Sequence, residues 1–413
     1  MIQFEEFVLD NGLKVVVHHD DSAETAVLNL IYNVGSRDED EEVTGFAHLF
    51  EHLMFGGSKN IEEFDIELQR VGGENNAFTS PDVTNYYVTV PKDNLETAFW
   101  LESDRMLSLS FEDNVLEVQR KVVIEEFKQR YLNQPYGDVW LLLRPVAYQD
   151  HSYKWATIGK EIKHIEDATM DQVKAFFNKH YKPNNAVLVV GGNVSIDEVK
   201  KLANKYFGPI EQGKISEKNI PEEKTQTERR FLEVEREVPQ DALYMAFHMP
   251  AKNDPNYYSS DLLSDIIGRG ESSRLHKKLV DEDKVFSELG AYVMGSFDPG
   301  LLVISGKINE DFTLKEAEEK VWFVINQLKK EGLEENELQK VKNQVSSSHG
   351  FGQIDLLERC IGLAYGAIMN HTNLINEENG YFEKVTEEEV VTKAQEILTE
   401  SNVSVLYYKS VNK

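Results

Sequence analysis

The sequence predicts an α+β protein made of two homologous halves, each an α/β sandwich of a largely antiparallel sheet with helices packed on it. Three observations carry this. The chain has 413 residues, too many for one ordinary core and suited to two domains of about 200 residues each. Strand-like runs such as 13–18, 26–32 and 186–192 alternate along the chain with helical patterns. The second half also repeats the order of the first. Residues 241–247 parallel the strand at 26–32, a helix around 261–265 follows as one follows the earlier strand, and 337–340 echo 117–120. These observations set a first domain at 1–210, a linker at 211–230 containing Gly213, Pro221 and many charges, and a second domain at 231–413.

Composition narrows the function. Net charge is −28 and the sequence pI about 4.8, which argues against nucleic acid, since phosphate binding needs a basic surface. No run of about 18 apolar residues exists, so no membrane span is expected, and the first residues lack the basic start and apolar core of a secretory signal. The expected compartment is cytoplasmic, or periplasmic if a signal has been removed. A single cysteine, Cys360, excludes an internal disulfide and a thiolate cluster.

Taken in order, a turn at 10–12 leads into strand 13–18, and strand 26–32 follows. His18 and His19 are adjacent on a strand and point to opposite faces, so they are expected at the surface without a shared ion. The acidic run 38–42 precedes a helix start, where negative charge is favourable. Residues 44–57 then read as a helix capped by Thr44 and stopped by Gly56-Gly57. On it His48 and His52 stand one turn apart on one face, and Glu51 projects to the same side. The rest of the helix is apolar, so these groups are expected to be buried and to need a partner. The pattern H-x-x-E-H makes that partner a zinc ion, the competing reading being two satisfied core histidines and an incidental Glu.

A helix at 62–71 is followed by a polar strand within 72–80 that pairs with 86–90 as a hairpin; as an exposed edge, it can accept an extended peptide. Helices at 94–107 and from 114 to about 130 come next. On the second, Val115, Leu116, Gln119, Val122, Val123, Glu126 and Phe127 fall on one stripe and Glu125 lies off it. Glu126 is therefore the carboxylate on the buried face and the third zinc ligand, against the alternative of a salt bridge to an Arg. The turn 182–185, a fully buried strand at 186–192 and a helix at 196–207 complete the half. In the second copy the repeat sets Ser346 against Glu126, and no zinc ligand recurs.

These residues resemble the pitrilysin and insulinase family of zinc peptidases, in particular its short two-domain branch, which includes the mitochondrial processing peptidases and their bacterial relatives. The landmarks are 34–37, 45–57, Gly72-Gly73 with Asn76, Ala77 and Thr79, then 102–106, 120–126 and 181–185, so the resemblance covers nearly the whole chain. It implies His48, His52 and Glu126 as ligands of one Zn2+ per chain and Glu51 as general base. It implies substrate pairing along Asn76, Ala77, Phe78 and Thr79, and a clamshell formed with a partner chain. Two departures stand out. Gln119 occupies the place of a Glu that in relatives supports the third ligand. An Arg and a Tyr that self-sufficient relatives carry in the second half fall at Val280 and Ser287, with Tyr292 nearby but out of register.

The expectation is a zinc metalloendopeptidase hydrolysing unfolded or short peptides, the catalytic subunit of a heterodimer whose homologous partner lacks H-x-x-E-H and supplies the Arg and Tyr. The alternatives are a non-catalytic assembly subunit that keeps the fold and zinc, and a self-sufficient homodimer using residues such as Tyr292 or Arg274.

Overall fold

The computed structural model describes residues 1–214 and 218–411; positions 215–217 of the expected linker, and the last two of the second domain, lie outside the described residues. Strands β1 (Glu5–Val8), β2 (Lys14–His19), β3 (Thr25–Tyr32), β4 (Glu74–Thr79), β5 (Thr84–Pro91) and β6 (Ala186–Gly192) form a six-stranded sheet in the order β1-β2-β6-β3-β5-β4. All neighbours are antiparallel except β2 and β6. The central strand β6 is buried at every position, as its unbroken apolar sequence requires.

A second sheet contains β7 (Arg230–Arg236), β8 (Ala242–Met249), β9 (Phe286–Met294), β10 (Gly300–Ile308) and β11 (Val403–Ser410) in the order β7-β11-β8-β10-β9. Again one pair, β7 with β11, is parallel. Removing the extra edge strand β1 leaves identical topologies, with β8 in the place of β3 as the sequence repeat predicts. Two homologous halves of α+β type are thus the architecture.

The two compact units do not follow chain order. One comprises Met1–Gln129, Trp155–Pro221 and Gly350–Glu377; the other comprises Arg130–Lys154, Glu222–His349 and residues from Glu378 onward. Each sheet is covered partly by a helix from the opposite half of the sequence. In the first unit the helix Leu356–Ile368 packs on β3 and β6. Gly191 admits it, because a Cβ there would lie 2.3 Å from Cys360 Sγ. In the second unit Val139, Leu143 and Ala147 of the helix Val139–Ala147 share a core with Ala246, Val303 and Leu406. The units interleave along the chain because packing follows the apolar face of each helix.

Two smaller expectations change. His18 is buried, not superficial, with its Nδ1 2.8 Å from the Gln3 carbonyl, because the N-terminal segment covers β2. Val122 is 43 % exposed, since the buried face of the helix Asp113–Phe127 is narrower than the apolar stripe and is carried by Leu116, Val123 and Phe127. Among the described residues no helix is long and apolar enough to cross a membrane.

The exchanged helix is also tied by charge. Arg359 Nη2 lies 2.7 Å from Asp20 Oδ2, and hydrogen bonds from Ser22 and Arg359 hold the Asp20 carboxyl down at about 2. Arg359→Ala is expected to lower stability by about 1 kcal/mol. The folded pKa lies below the unfolded value, so the loss should be full above about pH 4 and fade as pH falls through 2. Urea melts of both proteins at pH 7 and pH 2.5 check this.

Candidate metal centre

The motif helix runs Phe46–Leu53 and buries Phe46, Ala47, Leu49, Phe50 and Leu53. Its back face rests on aromatic rings: Phe50 stacks on Phe176 at 5.0 Å and on Tyr181 at 5.2 Å between centroids. The chain leaves the helix through Gly56 and Gly57. A Cβ on Gly56 would sit 2.4 Å from Val115 Cγ1, so glycine lets the helix Asp113–Phe127 come close. Gly57 takes a φ of +98°, which glycine adopts without strain.

Thr44 does not cap this helix. Its hydroxyl lies 2.8 Å from His164 Nδ1 and accepts from the Lys160 amide at 2.8 Å. The N-cap position is Gly45, in the left-handed region at φ +86°. The cap comes from Glu39, whose two carboxylate oxygens accept the amides of Gly45 at 2.9 Å and Ala47 at 2.8 Å. Burial pushes the Glu39 carboxyl up to about 8, with the two amides and the Trp155 indole pulling the other way. The acidic run 38–42 favours a helix start as a whole, and nothing in its spacing singles out Glu39.

On the open face, His48 and His52 present their rings at 4.9 Å and 75°. Glu126 Oε2 from the neighbouring helix lies 3.6 Å from His48 Nε2 and 3.4 Å from His52 Nε2. Among the described residues this is the only group of three such side chains whose ligand atoms all lie within 4.8 Å of one another. Their side chains are 12 %, 24 % and 18 % exposed, sheltered yet open to solvent. Glu125 points away and pairs with Lys128 at 2.8 Å. Gln119 is half-buried two turns earlier on the helix.

Glu51 is fixed from the sheet. Thr79 at the end of β4 donates its hydroxyl to Glu51 Oε2 at 2.6 Å. The strand β4 is the sheet edge, paired only with β5. Asn76 is exposed, while Ala77, Phe78 and Thr79 are half-buried. The strand is braced from both ends of its turn. Arg37 and Asp82, both nearly buried, pair at 3.0 Å, and the Arg37 amide donates to the Pro81 carbonyl at 3.0 Å. Tyr365 of the exchanged helix stacks parallel to Phe78 at 6.5 Å, a support from far along the chain with no sequence signal.

Beneath the site the pair Arg105 and Glu102 has no exposure at all. Arg105 donates to Glu102 through both Nε, at 2.8 Å, and Nη2. The guanidinium also lies 4.5 to 5.0 Å from the ring centroids of Tyr86, Phe64 and Phe55, so cation–π attraction adds to the ion pair. Burial raises the Glu102 pKa while Arg105 opposes it.

Among the described residues of the second unit no such cluster forms. Ser346 is half-buried on the helix Glu337–Gly352. Val280 is apolar, Ser287 bonds to Gln240 and the Lys307 carbonyl at 3.3 Å, and Tyr292 is 40 % exposed on the edge strand β9. Arg274 is engaged within the unit, with Nη2 2.5 Å from Glu337 Oε2 and 2.9 Å from the Gly332 carbonyl.

Two family profiles match successive parts of the chain. Residues 14–159 match the profile of insulinase, peptidase family M16, and residues 167–345 match that of the peptidase M16 inactive domain. The chain is 31 % identical over 346 residues to the zinc protease PqqE of Helicobacter pylori, covering 82 % of this chain and 77 % of that protein. It is 30 % identical over 210 residues to the probable mitochondrial-processing peptidase subunit beta of Schizosaccharomyces pombe, covering 50 % of this chain and 45 % of that one. The crystal structure of a protease from Helicobacter pylori superposes with a TM-score of 0.92 at 27 % identity, over 99 % of this chain and all of that one.

Removing one member of the buried pair strands the other. Arg105→Ala is expected to destabilise the first unit by about 3 to 5 kcal/mol, read as a fall in the denaturant midpoint, whereas the exposed Lys128→Ala should shift it by under about 0.5 kcal/mol.

Proposed function

The chain belongs to the insulinase (M16) family of peptidases, whose members include zinc proteases, and on that premise we propose that it is a zinc-dependent endopeptidase acting on unfolded or short peptides. His48, His52 and Glu126 are the zinc ligands, and Glu51 is the general base. The observation that carries this is the convergence of two imidazole nitrogens and one carboxylate oxygen within 4.8 Å, with a second carboxylate on the same short helix. Two nitrogens and one oxygen are a donor set that suits zinc and leaves a position open. The distances from Glu126 to the two imidazoles are those of groups facing a common centre rather than of a tight ion pair.

A zinc ion held there supplies Lewis-acid chemistry, polarising the scissile carbonyl and lowering the pKa of a water toward about 7. Glu51 takes the proton of the attacking water and returns it to the leaving amine. Thr79, by its hydrogen bond, holds the Glu51 carboxylate in place for both transfers. The backbone of Asn76, Ala77 and Phe78 on the open edge pairs with an extended substrate as an added strand, which selects unfolded segments. Gln119, two turns from Glu126, supports the third ligand without adding charge.

The donors that stabilise the developing oxyanion come from a homologous partner chain. Val280 offers none, the Ser287 hydroxyl is engaged with Gln240 and the Lys307 carbonyl, and Arg274 is committed to Glu337. That commitment also weighs against a self-sufficient homodimer relying on Arg274. A purely structural zinc subunit would have no use for Glu51 beside the ligands with Thr79 orienting it.

Replacing Glu51 with Gln should leave one zinc per chain bound and abolish peptide hydrolysis by the assembled enzyme, measured by metal analysis and a quenched fluorescent peptide. Loss of zinc together with activity would make Glu51 a structural group instead. The chain alone should hydrolyse peptide about 10²- to 10³-fold more slowly than with its partner, since one oxyanion donor is typically worth that much. Full activity in a verified monomer would refute the heterodimer.

A further inference from the structure

We propose that Glu39 is a positioning residue for the metal centre: by capping the motif helix through two amides it fixes the first turn, and so the imidazole of His48 against Glu126. The proposal rests on the zinc-ligand reading above. The motif helix has only eight residues, and His48 lies in its first turn, where backbone amides have no partner within the helix and fraying begins. An ordinary cap is missing. Gly45 has no side chain, and its φ of +86° together with the Ile158 carbonyl 2.7 Å from a would-be Cβ excludes a capping residue at that position. Thr44 is committed to His164 and Lys160.

Glu39 fills this gap from a distance. One oxygen takes the Gly45 amide and the other the Ala47 amide, immediately before His48. The side chain is buried, with 8 % exposure, and a buried carboxylate is costly unless its hydrogen bonds are worth keeping. Its acidic neighbour Glu42 is exposed. The influence of the acidic run on the helix is therefore a specific two-point contact, not a diffuse field.

The test measures Zn2+ affinity of the full chain by competition with a chromophoric chelator at pH 8.5, alongside thermal melts and the visible spectrum of the Co2+-substituted protein. Glu39→Ala loses both acceptors and should bind Zn2+ roughly tenfold or more weakly, with altered cobalt bands, in protein that remains folded. Glu39→Gln keeps one acceptor and should fall between the two; it also decides the matter if the alanine variant does not fold. Glu42→Gln should bind as wild type does. Unchanged affinity and cobalt spectrum in both Glu39 variants, or an equal loss in Glu42→Gln, would overturn the proposal. A wild-type chain that takes up no Zn2+ would instead overturn the ligand assignment beneath it, so the two failures are told apart.

Discussion

The candidate metal centre depends on holding one carboxylate between two imidazoles that sit on a different helix. Neither helix could do this alone. Glu126 reaches within 3.4 and 3.6 Å of the two rings only because Gly56 removes a side chain from the contact with Val115. The motif helix is too short to be stable by itself, and in proteins most helical stability comes from packing. Here that packing is the aromatic stack behind Phe50 and the cap from Glu39. The edge strand is placed by a separate set of supports, the Arg37 and Asp82 pair and the Tyr365 stack, and its last residue, Thr79, reaches Glu51. The H-x-x-E-H helix is thus approached from two directions, by a helix bringing a carboxylate and by a strand bringing a hydroxyl.

Duplication explains what the second unit lacks. The same sheet topology recurs, but the face that carries the histidines in the first copy carries other residues in the second, and Arg274 is spent on an internal ion pair. The exchange of helices between the halves ties each unit's core to a distant part of the chain, so the two copies are coupled through sequence even where their chemistry has diverged.

Much of this was legible in the sequence, for identifiable reasons. The motif helix, β3, β6 and the edge hairpin follow from periodicity and from glycines at turns, because those signals are local. Glu126 could be separated from Glu125 because the two differ by 100° around a helix. The repeat was visible as an order of elements, which the sheet topologies match. What failed was non-local. Thr44 has the right chemistry for a cap, but tertiary partners claimed its hydroxyl and Glu39 took the role from outside the helix. The destinations of the helices at 139–147 and 356–368 depend on which sheet offers a complementary face, which no window of sequence contains. Val122 looked buried because apolar stripes show where a core can lie, not how wide the neighbour covering it will be.

Whether three side chains from two helices bind one metal ion is decided by the metal content and zinc affinity of the wild-type chain beside Glu126→Gln. One Zn2+ per wild-type chain is expected, with an affinity lower by on the order of a hundredfold or more in the variant and the fold intact, since losing a direct ligand should cost at least as much as losing an outer partner. Equal zinc affinity in the two proteins would contradict this ligand set.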